Sequence, residues 1–263
     1  MPRTPPPRRT VDASGRPARR AVMVWLAGTI ELDAWAAMGE RLAWDVSEPD
    51  GRPPTLVICE LARSITVGRL GSRRDIDMDD DELAAARLAP RFTGRGGGAI
   101  FHYPGQVHVA LFAALPDLGL DPHDAGGLVE RMETGLEGAV RRLRCGTSRD
   151  SGSHGVSGRT GLLAAVGMAV RRGVSSHGGW LNVTPPPEPG YRVRTATGGP
   201  RAATAMSSVE ACVQRPVRLQ DARTALVEQL VDAYAFPASH IQSGFPLPVR
   251  SGGDSREVFS RVG

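Results

Sequence analysis

The chain predicts an α+β domain, a mixed β-sheet packed with helices. Three observations lead there. Apolar runs of strand length recur, such as Thr55 to Glu60 and Val107 to Leu115; a few stretches show helical periodicity, the longest after Asp124; and regular βαβ spacing is missing. At 263 residues and 41% apolar content the chain can bury one sizeable core. We expect one domain over residues 21–240, preceded by a disordered basic tail at 1–20 and followed by a flexible Pro, Gly and Ser rich tail at 241–263. No internal repeat is visible.

Ala21 to Ile30 reads as the first strand, and Asp33 as the cap of a helix whose Trp35, Met38 and Leu42 share one face. Thr55 to Glu60, continuously apolar and β-branched, reads as a buried central strand, and Ile65 to Gly68 as a continuation of the same sheet. The acidic run Asp75 to Glu82 lacks the glycine and terminal glutamate of a calcium loop; it reads as the start of a helix over Glu82 to Leu88. Val107 to Leu115 is a second buried strand. Asp124 caps a long helix with Leu128, Met132, Leu136, Val140 and Leu143 on its core stripe. Residues 145–161 read as a loop, Leu162 to Val170 as a strand, and Pro185 forces a break after Asn182 and Val183. A last amphipathic helix carries Ala222, Leu226, Leu230 and Tyr234.

The net charge is +4, and every one of the 32 basic residues is arginine. Without lysine, a Schiff-base cofactor, a phosphate-loop lysine and a lysine general base are all excluded. Cys59, Cys145 and Cys212 have neither CxxC nor Cys/His spacing, which argues against a zinc site or a disulfide framework and for a reducing cytoplasm. No metal and no cofactor are expected. Arg19-Arg20 before an apolar run has the look of a twin-arginine signal, but the run ends at Glu31 and leads straight into a helix. No apolar segment reaches the roughly 20 residues of a membrane span. The arginine count without interleaved aromatics is a weak signal for nucleic acid.

The most informative stretch runs from Arg95 to Gln106, where three glycines, a short apolar strand and a Pro104-Gly105 turn surround His102. Glycines let backbone approach where any Cβ would clash. This string resembles the RGG…HGPGQ signature of the lipoyl (octanoyl) transferase family, whose fold is shared with lipoate and biotin protein ligases. The resemblance covers roughly residues 21–235 and continues in the family's order. Glu60 through Arg69 is similar to EHPPVYTLGR, His177-Gly-Gly-Trp-Leu-Asn-Val183 to HGLALNV, and Ala196-Thr197-Gly198 to the Pro-Cys-Gly turn.

The resemblance implies octanoyl transfer from an acyl carrier protein, through a cysteine, to a lysine of a lipoyl domain. It places Arg95, Gly96, Gly97, His102, Gly105, Gln106, His177, Gly178, Asn182 and Gly198 around an acyl pocket. Both reactive positions differ from the family pattern. The cysteine position is Thr197, and the lysine position, five before Gly167, is Leu162. Tyr103 and Trp180, where the family has glycine and alanine, should add bulk at or near the pocket. Arg95 should offer its planar fork to a ligand carbonyl or carboxylate, and His102 should line the pocket in a structural role.

Two functions follow from this pattern. The first is a monomeric, catalytically impaired member of the family that binds acidic partners, acyl carrier proteins or lipoyl domains, through an arginine-rich surface. The alternative is a diverged acyltransferase or thioesterase that uses Thr197, or a water activated by His102 or His177.

Overall fold

In this computed structural model the described residues are 19–48, 51–149, 154–195 and 204–244. In chain order they form β1 (Val22–Ile30), α1 (Leu32–Ser47), β2 (Thr55–Leu61), β3 (Ser64–Val67), α2 (Asp80–Ala85), β4 (Pro90–Phe92), β5 (Ala99–His102) and β6 (Gln106–Ala114). Then follow α3 (Ala125–Arg142), β7 (Gly155–Gly158), β8 (Gly161–Arg171), β9 (Val174–Asn182), α4 (Glu188–Tyr191), β10 (Arg194–Thr195), β11 (Thr204–Ala205), α5 (Val209–Val213), α6 (Leu219–Ala233) and β12 (Ser239–Ser243).

The main sheet has seven strands in the order β12-β1-β2-β6-β9-β8-β7. It is mixed: β1 pairs in parallel with β12 and β2, and every other pairing is antiparallel. The continuous apolar character of β2 follows from burial on both faces. Leu56 and Ile58 point into the core under α3 and α6, while Val57, Cys59 and Leu61 point the other way, against Trp35, Met38 and Leu42 of α1. Glycines set the spacing between layers. A Cβ at Gly135 would lie 2.5 Å from Leu230 Cδ2, and one at Gly179 would lie 2.7 Å from Leu136 Cδ1, so α3 seats against α6 and the sheet only because these positions lack side chains.

A second, three-stranded sheet of order β4-β3-β5 folds over the α1 side of the main sheet. Its outer face, with Ile65, Val67 and Phe101, buries Leu83, Leu88 and Val193. Its inner face meets Trp180 of β9. Arg95, His102, Gln106 and Asn182, singled out in the sequence, lie along this seam.

Several expectations are corrected. Ile65 to Gly68 does not extend the main sheet: β3 pairs with β4 and β5, because its alternate residues feed a separate small core. The cap of α1 is Glu31, without a side-chain bond, and Asp33 sits in the first turn, paired with Arg91. Helix α2 begins earlier, at Asp80, because the Asp79 side chain accepts from Glu82 N and the Glu82 side chain returns the bond. Asp124 caps α3 as expected, accepting from Gly127 N at 2.8 Å. The stretch 145–161 is not all loop, since β7 closes the sheet there. Residue 240 is not a boundary: β12 crosses it and pairs with β1. Arg19 and Arg20, counted with the leading tail, donate to Ala235 O and Gly51 O. Residues 1–18 and 245–263 lie outside the described residues.

The tightest constraint in the sheet is Gly178, where an added Cβ would stand 2.1 Å from Val109 O on the neighbouring strand. Backbone cannot yield as a side-chain tip can. Gly178→Ala is expected to lower the unfolding free energy by about 3 kcal/mol, read from urea denaturation midpoints at constant slope; an unchanged midpoint contradicts the packing described.

Candidate functional site

Arg95, between β4 and β5, is only 2% exposed. Its Nε and Nη2 donate to Thr66 Oγ1 at 3.2 and 2.8 Å, Nη2 also to Thr66 O at 2.9 Å, and Nη1 to Gly96 O at 2.9 Å. The guanidinium carbon stands 4.8 Å from the Trp180 ring centroid, a cation–π contact that offsets part of its lost hydration. Burial pulls its pKa down to about 9, so the group stays cationic at neutral pH. The expectation that Arg95 contacts a ligand is therefore corrected: a buried cation must be met by acceptors, and here protein oxygens meet the fork.

From Arg95 a chain of buried hydrogen bonds crosses the seam. Thr66 donates its hydroxyl to His102 Nε2 at 2.8 Å, and His102 Nδ1 donates to Gln106 Oε1 at 2.9 Å. Gln106 Nε2 donates to Phe101 O at 3.1 Å and to Asn182 Oδ1 at 2.9 Å; Asn182 Nδ2 donates to Leu162 O at 3.4 Å. The tautomer follows from these partners. Because the Gln106 nitrogen faces two acceptors, its oxygen must face the ring, and the ring nitrogen it meets must carry the hydrogen. Burial, and then the charge of Arg95, push His102 down to about 3, against the raising effect of the Gln106 bond. His102 is a neutral strut with both nitrogens engaged. It is not available as a base.

The turn after His102 locks this chain in place. Tyr103 O accepts from Gln106 N at 3.0 Å, with Pro104 and then Gly105 at φ +108° between them, the residue order of a type II turn. Gly105 N donates to the buried Glu60 Oε2 at 2.8 Å, and Arg223 of α6 holds the other Glu60 oxygen at 2.7 Å. Tyr103 does not enter the seam. Its hydroxyl donates to Thr184 O and its ring stacks on Phe101 in the small-sheet core. Trp180 does enter: it forms an apolar cluster with Ile100, Leu162 and Ala165, and its ring lies 5.6 Å from His102 and 5.3 Å from His108. The ring of His108 also meets Trp35 edge-on at 4.4 Å, and neither of its nitrogens has a hydrogen bond among the described residues.

The glycine loop wraps the segment after β3. Gly68 N donates to Gly98 O, Arg69 N to Arg95 O and Leu70 N to Gly97 O, while Gly96 N docks on Met168 O of β8 at 2.9 Å. A Cβ at Gly68 would stand 2.4 Å from Gly97 O. These glycines first serve backbone against backbone. Beyond Gly96 and Gly97 opens a cavity of about 240 Å³, bordered also by Leu128, Val129, Met168 and His154. His177 on β9 is half-buried with φ 59°, a left-handed conformation unusual for histidine. Burial, then Arg95 and Arg69, hold it at about 4, so it is neutral and weakly basic.

Two buried residues of this region have contacts that the sequence did not announce. Glu133, buried on α3, accepts from His154 Nδ1 at 2.8 Å and is also paired with Arg149. Thr66 is the hub between Arg95 and His102; in the sequence it stood inside the segment similar to EHPPVYTLGR without an assigned role. Thr197 and Gly198 lie outside the described residues. The strands flanking them, β10 and β11, pair with each other, and Ser207 N donates to Leu162 O at 2.8 Å.

The sequence model of the lipoyl protein ligase A/B catalytic domain matches residues 33–231. The chain belongs to this family. Among its relatives, an octanoyltransferase of Geobacter metallireducens is 31% identical over 202 residues, 77% of this chain and 88% of the relative. One from Geotalea uraniireducens is 32% identical over 157 residues, covering 60% and 68%. Among solved structures, lipoate-protein ligase A bound with ATP superposes with a TM-score of 0.63 at 15% identity, over 86% of this chain and 89% of that one. A bipartite archaeal lipoate protein ligase from Thermoplasma acidophilum gives 0.56 at 15% identity, over 87% and 88%. The lipoate protein ligase fold read from the sequence is thus the fold observed.

The neutral histidine has a measurable signature. His102 sits near 3 when folded against an ordinary 6.5. Between those values the unfolded chain binds a proton that the folded chain refuses, so the stability it contributes is full above 6.5 and is lost as pH falls toward 3. His177, held at about 4, acts in the same direction. In His102→Gln, the decline of unfolding free energy between pH 6 and 4 should be shallower by about one proton, measured by urea titration at stepped pH. Equal slopes would refute the assignment.

Proposed function

We propose that this chain is an acyl-binding member of the octanoyltransferase family that does not perform the family's transfer reaction. Its partners are acyl carrier proteins or lipoyl domains. One observation carries the reading. At the position where the resemblance calls for the activating lysine, Leu162 is 3% exposed and packed against Ile100, Ala165 and Trp180. An apolar side chain there can neither keep a nucleophile ionised nor accept the proton of an attacking amine. The resemblance also puts Thr197 where the thiol would be, and a hydroxyl needs an adjacent base that His102, with both nitrogens engaged, does not supply.

What supports retained binding is the shell. The glycine loop, His102, Gln106 and Asn182 are all present and mutually bonded, and a cavity bordered by apolar side chains opens beside the glycines. Trp180 narrows the seam next to Leu162 and so favours a reshaped chamber. A surface whose every cation is arginine suits acidic partners. Cys59, Cys145 and Cys212 are free and buried, which fits a reducing compartment such as the cytoplasm.

Purified protein mixed with octanoyl-acyl carrier protein and an apo lipoyl domain is expected to give no octanoyl-lysine above background by intact-mass spectrometry. Turnover that disappears in Thr197→Ala would overturn the reading. The double substitution Leu162→Lys, Thr197→Cys is expected to restore measurable transfer, since it reinstates base and nucleophile in a shell already built.

A further inference from the structure

We propose that His154, oriented by Glu133, is a general base that hydrolyses acyl thioesters bound in the cavity beside the glycine loop. The assignment rests on the acyl-binding part of the function proposed above and adds a fate for the bound acyl group.

The geometry is that of a carboxylate–histidine pair at the wall of a cavity. Glu133 projects from α3 with its side chain 6% exposed, and its Oε1 lies 2.8 Å from His154 Nδ1. Arg149 holds the other oxygen of Glu133, which fixes the plane of the carboxylate. An ionised carboxylate only accepts, so the imidazole hydrogen sits on Nδ1 and the lone pair on Nε2. Nε2 has no hydrogen bond among the described residues, and His154, its side chain 51% exposed, is one of the residues that line the cavity, together with Gly96, Gly97 and Met168. The backbone at this position is also fixed: Val166 N donates to His154 O at 2.9 Å, tying the histidine to β8, whose Val166 and Met168 border the same cavity. Arg149 already supplies Glu133 with a counter-charge, so the carboxylate does not need histidine as a partner. What the pair adds is an imidazole of defined tautomer, with Nε2 left without a hydrogen-bond partner among the described residues, on a residue that lines the cavity.

The other two histidines of the motifs do not offer this. His102 has both nitrogens engaged, and His177 is too weak a base. With no lysine in the chain, water is the acceptor at hand. In the step, Nε2 of His154 takes a proton from water as the oxygen bonds to the thioester carbonyl carbon. Collapse of the adduct breaks the C–S bond, and the departing sulfur takes that proton back, giving a carboxylic acid and a thiol. Glu133 stabilises the imidazolium between the two transfers. His154 is the catalytic residue; Glu133 is a positioning residue.

The test uses the full chain with octanoyl-pantetheine as substrate and its non-hydrolysable thioether as binding probe. The parent is expected to release thiol above the buffer rate. His154→Gln should lose about 100-fold in kcat, bind the thioether as the parent does, keep its thermal midpoint, and recover in part with added imidazole. Glu133→Gln should lower kcat without weakening thioether binding. Parent hydrolysis that persists undiminished in His154→Gln overturns the assignment. So does thioether binding by a parent that shows no hydrolysis, an outcome that leaves the acyl-binding reading intact. A parent that neither binds the thioether nor hydrolyses the thioester overturns both.

Discussion

The site is organised around one buried, unidirectional chain of hydrogen bonds. The line starts at the Arg95 guanidinium, a donor, and ends at the Leu162 carbonyl, an acceptor; between them Thr66, His102, Gln106 and Asn182 each accept on one side and donate on the other. Reversing any link would set donor against donor somewhere else, so the protonation state of His102 and the orientations of both amides are determined together. The chain also joins elements distant in sequence: β3, the glycine loop, β5, β6, β9 and β8. The seam between the two sheets is held by this polar line as much as by the apolar cluster around Trp180.

Such a line is rigid, and its rigidity divides the site into two regions. On one side lie groups that are deep, neutral and fully engaged: His102, Gln106, Asn182. On the other lie the glycine loop, the cavity and the half-exposed pair of His154 with Glu133. Arg95 belongs to the first region. Its charge is met by carbonyls, a hydroxyl and an indole face, and it forms no ion pair among the described residues, so after burial, the larger cause, it adds to the lowering of His102 and His177.

Much of this fold was legible in the sequence. The strands that became β1, β2, β6 and β8 announced themselves as apolar runs, and α3 by its cap and its stripe, because burial on both faces and 3.6-residue periodicity are local signals. Which sheet a strand joins is not local. Ile65 to Val67 carries the same apolar pattern whether it extends the main sheet or starts a small one, and only the partners Pro90 to Phe92 and Ala99 to His102 decide. The site divides in the same way. His102, Gln106 and Asn182 were legible through the motif resemblance. The bonds of Thr66, which stood in a motif without an assigned role, and the pairing of Glu133 with His154 were not, since they come from side chains brought together across 29, 36 and 21 positions of sequence. Arg95 was found for its position and misread in its role, because spacing says where a guanidinium begins and not which oxygens surround it.

The backbone of Leu162 carries a further consequence. Its carbonyl accepts both from Asn182 Nδ2 and from Ser207 N, and Leu162 forms a parallel bridge with Met206. The architectural duty of this position is therefore shared: its peptide group ties the strands, and its side chain packs with Ile100, Ala165 and Trp180. Because these backbone ties do not depend on what the side chain is, the scaffold stays tied whichever residue type stands there. A protein fold arranged in this way keeps its shape available for a different use.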